Sequence, residues 1–198
     1  MKILIATKNP GKYEEIREML RQLPAEFLSL ADMGITEDFA EEGVSFEENA
    51  LGKARFYSKK SGLPTVADDS GIFVEALVDE LGIKTRRWGV GEQATDKEWL
   101  QHFLKRMEKE KNRNATFVCA AAYAGPLGEH VFLGETRGTL TKKPEVPVKP
   151  GIPLSSVFKP QACAKVYAAL SPTEKNRLSH RGKAFQKLLN FFLCSSPF

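Results

Sequence analysis

The residues able to do chemistry fall into four short groups. Asp68 and Asp69 stand side by side in Ala67-Asp68-Asp69-Ser70-Gly71, after the apolar run Leu63 to Ala67. That order reads as a strand running into a tight, exposed turn, with acidic groups delivered to the mouth of a sheet. Adjacent carboxylates on one turn repel each other unless a cation or a proton offsets the charge, so the pair is either a solvated turn or a cation site. Thr7-Lys8-Asn9-Pro10-Gly11-Lys12 is turn chemistry between an apolar run and a helical pattern. A strand, a glycine turn and a helix bring N-terminal amides to a place where they can hold a phosphate. It is not a Walker A loop, because Ala6 stands where the first glycine belongs and Tyr13 replaces the Ser or Thr. The same residues read equally well as an ordinary capped helix start. The third group is the acidic loop Glu37 to Gly43, where Glu41 and Glu42 are candidate ligands for a hard cation. The fourth is Lys175, His180, Arg181 and Lys183, either a solvated basic face or a phosphate clamp with Arg as the fork-shaped donor.

These groups need elements to position them. Lys2 to Thr7 reads as a buried strand, and Tyr13, Ile16, Met19, Leu20 and Leu23 fall at helical spacing after it. Glu26 to Leu30 is a second strand. Ser45 and Glu48 form a capping-box pattern for a helix through Asn49, Ala50, Lys53, Ala54 and Tyr57, ended by Gly62. Ile72 to Leu77 is a short apolar segment, followed by the basic and aromatic loop Lys84 to Gly89. Gly89-Val90-Gly91 lacks the third glycine of a dinucleotide fingerprint. Thr95 with Glu98 opens another helix, whose apolar face is Trp99, Leu100, Phe103, Leu104 and Met107. Ala115 to Ala124 and Glu129 to Arg137 are strands joined at Gly125-Pro126-Leu127-Gly128, with Thr139 to Lys142 extending the layer. Five prolines make Lys143 to Pro160 a loop, and its length suggests that it borders a site. Ser171-Pro172-Thr173-Glu174 starts the last helical region, with Phe185, Leu188, Leu189 and Phe192 on one face.

Composition narrows the function classes. With 198 residues, 42% hydrophobic and 27% charged, the chain has the make-up of an ordinary globular protein read as one domain over 1–198. A net charge of +4 suits a local anion site and argues against a nucleic-acid partner. No apolar run approaches the roughly 20 residues needed to span a bilayer, so no membrane partner is expected. Met1 to Ala6 is too short for a signal peptide. Cys119, Cys163 and Cys194 are widely spaced without a Cys-x-x-Cys, as expected of free thiols in a reducing cytoplasm.

Taken in order, Thr7 to Lys12, Ser45 to Ala50, Ala67 to Gly71 and Ser179-His180-Arg181-Gly182 resemble the inosine triphosphate pyrophosphatase family, with support from Ala94-Thr95-Asp96 and Lys175. The likeness runs from Lys2 to about Phe192. It implies an α/β fold, with a long twisted mixed sheet and flanking helices forming two lobes around a central cleft. It also implies a homodimer that cuts a nucleoside triphosphate, such as inosine or xanthosine triphosphate, to monophosphate and pyrophosphate with Mg²⁺, or Mn²⁺ in its place. On this resemblance Asp69 is the general base and a metal ligand. Glu41 is the second metal carboxylate, with Glu42 as the alternative. Thr7, Lys8, Asn9, Pro10, Gly11, Lys12 and Ser70 hold the triphosphate, Lys175, His180 and Arg181 close on the nucleotide, and Asp68 supports. Two segments depart from the family pattern. Gly151-Ile152-Pro153-Leu154-Ser155-Ser156 stands where members carry Gly-aromatic-Gly-Tyr-Asp-Pro. Leu81 to Arg87 keeps only the glycine and Arg87 of Pro-Gly-x-Tyr-Ser-Ala-Arg. Losing the stacking aromatics removes about 1–3 kcal/mol of base binding. The altered loop leaves two alternatives: a nucleotide-binding member without turnover, or a pyrophosphatase for modified pyrimidine triphosphates, as in the similarly folded Maf-like enzymes.

Overall fold

The structure is a computed structural model that describes residues 1–78, 80–85, 88–90 and 93–195. Arg86, Arg87 and Gly91, which figured in the sequence reading, lie outside the described residues. One six-stranded mixed sheet, ordered β2-β1-β3-β4-β5-β6, carries the chain. β1 (Lys2–Ile5) pairs in parallel with β2 (Glu26–Ser29) and β3 (Thr65–Val74). β3, β4 (Asn114–Gly125), β5 (Gly128–Leu140) and β6 (Phe158–Pro160) are antiparallel neighbours. The parallel pairs need crossovers, supplied by α1 (Pro10–Leu20) and α2 (Phe46–Ser61), whereas β4 and β5 are joined by a tight turn.

Three helix starts follow the sequence closely. The Asn9 side chain accepts from Lys12 N–H and caps α1, with Pro10 at its first turn. Thr95 and Glu98 close a reciprocal capping box on α3 (Asp96–Arg106), and Ser171 and Glu174 do the same on α4 (Pro172–Leu178). Ser45 caps α2, but Glu48 reaches the Val44 N–H instead of the Ser45 N–H, so that expected box is only half closed. α5 (His180–Ser195) follows α4 after a single extended residue, Ser179.

β3 overturns the expected turn at Asp68-Asp69. The strand runs unbroken from Thr65 to Val74, with Asp68 opposite Ala121, Asp69 opposite Ala120 and Ser70 opposite Cys119. The alanines of β4 leave room for polar side chains on β3. The segment read separately as Ile72 to Leu77 begins as the second half of this strand.

The length of β3 and β4 explains the two lobes. At one end α1 and α5 cover one face, packing Ile16, Leu20, Phe185 and Leu188 on Ile3, Ile5, Val66 and Ala121. α2 covers the other, packing Ala50, Ala54 and Tyr57 on Leu4, Ala67, Ala120 and Ala122. At the far end a third core gathers Ile72, Val74, Phe117 and Leu140 with Trp99, Phe103, Phe158 and Tyr167. Lys143 to Pro160 is not loop throughout: Pro153–Ser156 forms a 3₁₀ helix, and Phe158–Pro160 pairs as β6 with Gly138, Thr139 and Leu140. Pro160 is tolerated because β6 is an edge strand, and Pro153 opens the 3₁₀ helix. The three cysteines are free thiols, and no helix among the described residues is long and apolar enough to cross a membrane.

Candidate active site

A cavity of about 860 Å³ lies where the three cores meet. Its wall takes Thr7 to Pro10 and Lys12 from the β1–α1 turn, Asp38 to Glu42 from the acidic loop, and Lys53 from α2. Asp69 and Ser70 come from β3, Gly151 to Ser155 from the proline-rich segment, and Lys175, His180 and Arg181 from α4 and α5. Of the sequence-predicted residues, Gly11, Asp68 and Lys183 are absent from the wall; Gly11 lies against the Pro150 carbonyl and Ile152.

Side chains alternate along a strand, so Asp68 and Asp69 point to opposite faces. Asp68 lies on the α1–α5 face with 1% exposure and is surrounded by cations. Lys12 Nζ is 3.1 Å from its Oδ2, and Arg181 Nε donates to the same oxygen at 3.1 Å. Burial pushes the Asp68 carboxyl up, but Lys12, Arg181 and Lys53 outweigh it and hold it far below the usual carboxylate range. Arg181, 5% exposed, spends the rest of its fork on Glu15 Oε2 at 2.5 Å and Ser70 Oγ at 3.0 Å. Glu15 also accepts from Lys175 Nζ. Arg181 and Lys175, expected to close on the nucleotide, both line the cavity and are paired within the fold. An arginine buried without acceptors would leave an uncompensated charge, and this fold supplies three.

Asp69 faces α2 and the cavity. Its Oδ2 accepts from Asn49 Nδ2 at 3.0 Å and its Oδ1 from the Ser70 N–H at 2.8 Å. Burial raises this carboxyl, Lys12 and Lys53 lower it, Glu41 raises it, and the net shift is upward. Lys53 sits between the acids: it pairs with Glu41 and donates to the Asp68 carbonyl at 3.1 Å. Burial lowers the Lys53 ammonium, but Glu41, Asp68 and Asp69 reverse that and keep it protonated. Glu15, Asn49 and Lys53 were not singled out from the sequence. Asn49 and Lys53 had a signal, being polar residues four apart on the helix stripe that carries Ala50 and Ala54.

Glu41 raises the cost of ionising Asp69, and both line the cavity and present hard oxygens. That donor set fits a hard divalent cation. Among the described residues no three His, Cys, Asp or Glu side chains group as ligands, so such an ion would complete its shell from water and a bound phosphate. Lys8 holds the acidic loop over the mouth, through Asp38 at 2.6 Å and the Thr36 carbonyl at 2.6 Å. His180 is buried and stacked on Phe117 at 4.5 Å. Burial and the neighbouring Arg181 push its ring well below its ordinary value, so it is neutral. Lys183 lies elsewhere: exposed, it donates to the Glu135 carbonyl.

Part of the cavity wall is apolar, formed by Trp99, Phe117, Leu154 and Tyr167. Leu154 and Ile152 here occupy the positions at which the resemblance expects aromatics.

The chain is 39% identical to a dITP/XTP pyrophosphatase of Thermoanaerobacter sp. (strain X514), over 98% of this chain and 97% of that one. A dITP/XTP pyrophosphatase of Aquifex aeolicus is also 39% identical, over 96% of each. A HAM1 protein from Coxiella burnetii superposes with a TM-score of 0.82 at 32% identity, over 99% of this chain and 100% of that one. Residues 3–191 match the Ham1 family, and the chain belongs to that family.

Proposed function

We propose that this hydrolase converts non-canonical purine nucleoside triphosphates, of the inosine and xanthosine type, to monophosphate and pyrophosphate. The observation that carries the reading is the contrast at β3. One buried carboxylate is paired through its Oδ2 with Lys12 and Arg181, and its neighbour faces the cavity with its pKa raised. A base must be able to take a proton near working pH, and Asp69 is the acid tuned in that direction.

In this reading the triphosphate lies along the β1–α1 turn, held by Thr7, Lys8, Asn9 and Lys12, with Ser70 and Lys175 beside it. Pro10 and Gly11 shape the turn. Asp69 takes a proton from a water molecule that attacks the α-phosphorus. The bond from that phosphorus to the bridging oxygen breaks, and pyrophosphate leaves. Lys12 and Lys53 stabilise the charge that builds on the phosphoryl oxygens. Mg²⁺ bound by Asp69 and Glu41, or Mn²⁺ in its place, would supply Lewis-acid stabilisation of the same oxygens. Arg181 keeps Asp68, Glu15 and Ser70 in register, and His180 forms part of the base-side wall. We take residues 1–198 as one catalytic domain working in the cytoplasm, where its free thiols suit a reducing setting. A homodimer is the expected assembly, on the family resemblance alone.

The test is a panel of inosine, xanthosine, adenosine, guanosine and modified pyrimidine triphosphates with Mg²⁺ or Mn²⁺, read by pyrophosphate and monophosphate release. Turnover concentrated on the 6-oxo purines is expected. Release of single phosphate, or tight binding without turnover across the panel, overturns it.

A further inference from the structure

Gly151 ties the proline-rich segment to both sides of the cleft. Its N–H donates to Asp96 Oδ2, at the start of α3, at 2.5 Å. Its carbonyl accepts from Asn9 Nδ2, the cap of α1, at 2.7 Å. α1 belongs to the core shared with α5, while α3 belongs to the far core. One residue is therefore fastened to both lobes. Its φ of 76° lies in the left-handed region, and a Cβ there would collide with the Asn9 amide, so only glycine fits.

The residues that follow, Ile152, Pro153, Leu154 and Ser155, line the cavity, and Leu154 belongs to the apolar far core with Trp99, Phe117 and Tyr167. Asp96 does not line it. Its place is set by the Thr95–Glu98 capping box, which pins the first turn of α3. A carboxylate accepting a backbone N–H makes a stronger bond than a neutral acceptor does. Such a bond ties the root of the segment to the start of α3, while Leu154 packs its far part into the core.

We propose that Asp96 is a positioning residue for base recognition. It holds the Gly151 amide so that residues 152–155 form a wall against the base, while the phosphate-holding turn works without it. The kinetic half of this inference rests on the hydrolase reading above; the structural half does not.

The experiment compares the unmodified protein with Asp96→Ala, Asp96→Asn and Gly151→Ala. Three quantities are read: hydrogen exchange of the Gly151 and Ile152 amides, kcat and KM for inosine triphosphate, and affinity for inorganic tripolyphosphate, which has no base. Asp96→Ala is expected to speed exchange in that segment alone and to raise KM about tenfold, the loss expected of one charge-assisted hydrogen bond. kcat should stay within about twofold and tripolyphosphate affinity should be unchanged. Asp96→Asn keeps an oxygen to accept the Gly151 N–H and should recover most of the loss. Gly151→Ala drives its Cβ into Asn9 of the phosphate turn and should raise KM and weaken tripolyphosphate binding together, the contrast that Asp96→Ala must not show. If Asp96→Ala does not fold, Asp96→Ser takes its place with the same expected readouts. Unchanged exchange in Asp96→Ala, an equal loss of its tripolyphosphate affinity, or an Asn variant as damaged as the Ala variant would overturn the proposal. Absence of turnover in the unmodified protein would sink the hydrolase reading instead, and exchange and tripolyphosphate binding would still decide the latch.

Discussion

The two faces of β3 treat neighbouring carboxylates in opposite ways. On the α1–α5 face, Asp68 meets Lys12 and Arg181 in a closed network that also takes in Glu15, Lys175 and Ser70. On the α2 face, Asp69 meets an amide and a backbone N–H, and looks into the cavity beside Glu41. The first face stores charge to hold the fold together at the cleft. The second leaves a carboxylate able to exchange a proton. Buried charge is costly unless paired, so a protein that needs one reactive acid there must neutralise the other.

The sharpest way to break this comparison is to neutralise each acid in turn. Asp69→Asn is expected to lower kcat by about 10²–10⁴-fold, the usual contribution of a positioned base, with the thermal transition little changed. Pre-steady-state and steady-state pyrophosphate release would check it; a variant with near-normal turnover would remove Asp69 from the chemistry. Arg181→Ala is expected to act on the fold first. It leaves Asp68 to Lys12 and Glu15 to Lys175 and should cost about 3–5 kcal/mol in a denaturant titration.

Acid separates the faces by sign. The Asp69 pKa is raised in the folded state, so lowering pH through that value protonates the base and removes activity, while native-state proton uptake favours folding. The Asp68 pKa is depressed, so its stabilisation is complete above the unfolded value of about 4 and is lost only as pH falls toward the much lower folded value. Activity should therefore fail at a higher pH than the fold does, measured by rate and circular dichroism on the same samples. Coincident loss would mean the two acids are not differently tuned.

A smaller effect sorts the acidic loop. Glu41 pairs with Lys53 and bears on Asp69, whereas Glu42 only lines the cavity. Glu41→Gln should raise the Mg²⁺ concentration for half-maximal rate by about tenfold, the weight of one charged ligand, and Glu42→Gln by less. Smallest of all, Lys183→Ala should leave kcat/KM within about twofold, because its ammonium binds a backbone carbonyl at the surface.

Local signals were enough for much of this molecule. Asn9, Thr95 and Ser171 announce helix starts because a cap is a contact within four residues, and the apolar stripe of α5 follows from its period. The acidic pair, the phosphate turn and the basic cluster were each visible as candidates, and their order along the chain was enough to suggest the family. Their meaning was not visible. Asp68-Asp69 followed by Ser and Gly looks like a turn, yet it is mid-strand, because the alanines of β4 and the cations of α1 and α5 make that burial affordable. Glu15 reads as one more surface acid on a helix until Lys175 and Arg181, about 160 residues away, are folded against it. Gly151 reads as a loop glycine until Asn9 and Asp96 arrive from two lobes.

By itself, then, the sequence determined which chemistries were within reach: carboxylates for proton and metal, a turn for phosphate, and a base-side loop stripped of aromatics. The resemblance already gave Asp69 and Asp68 different roles; the tertiary structure alone supplied their different surroundings, cations around Asp68 and the open cavity beside Asp69. That division depends on the pleat of β3, which sends adjacent residues to opposite faces, and on which long-range partners each face meets.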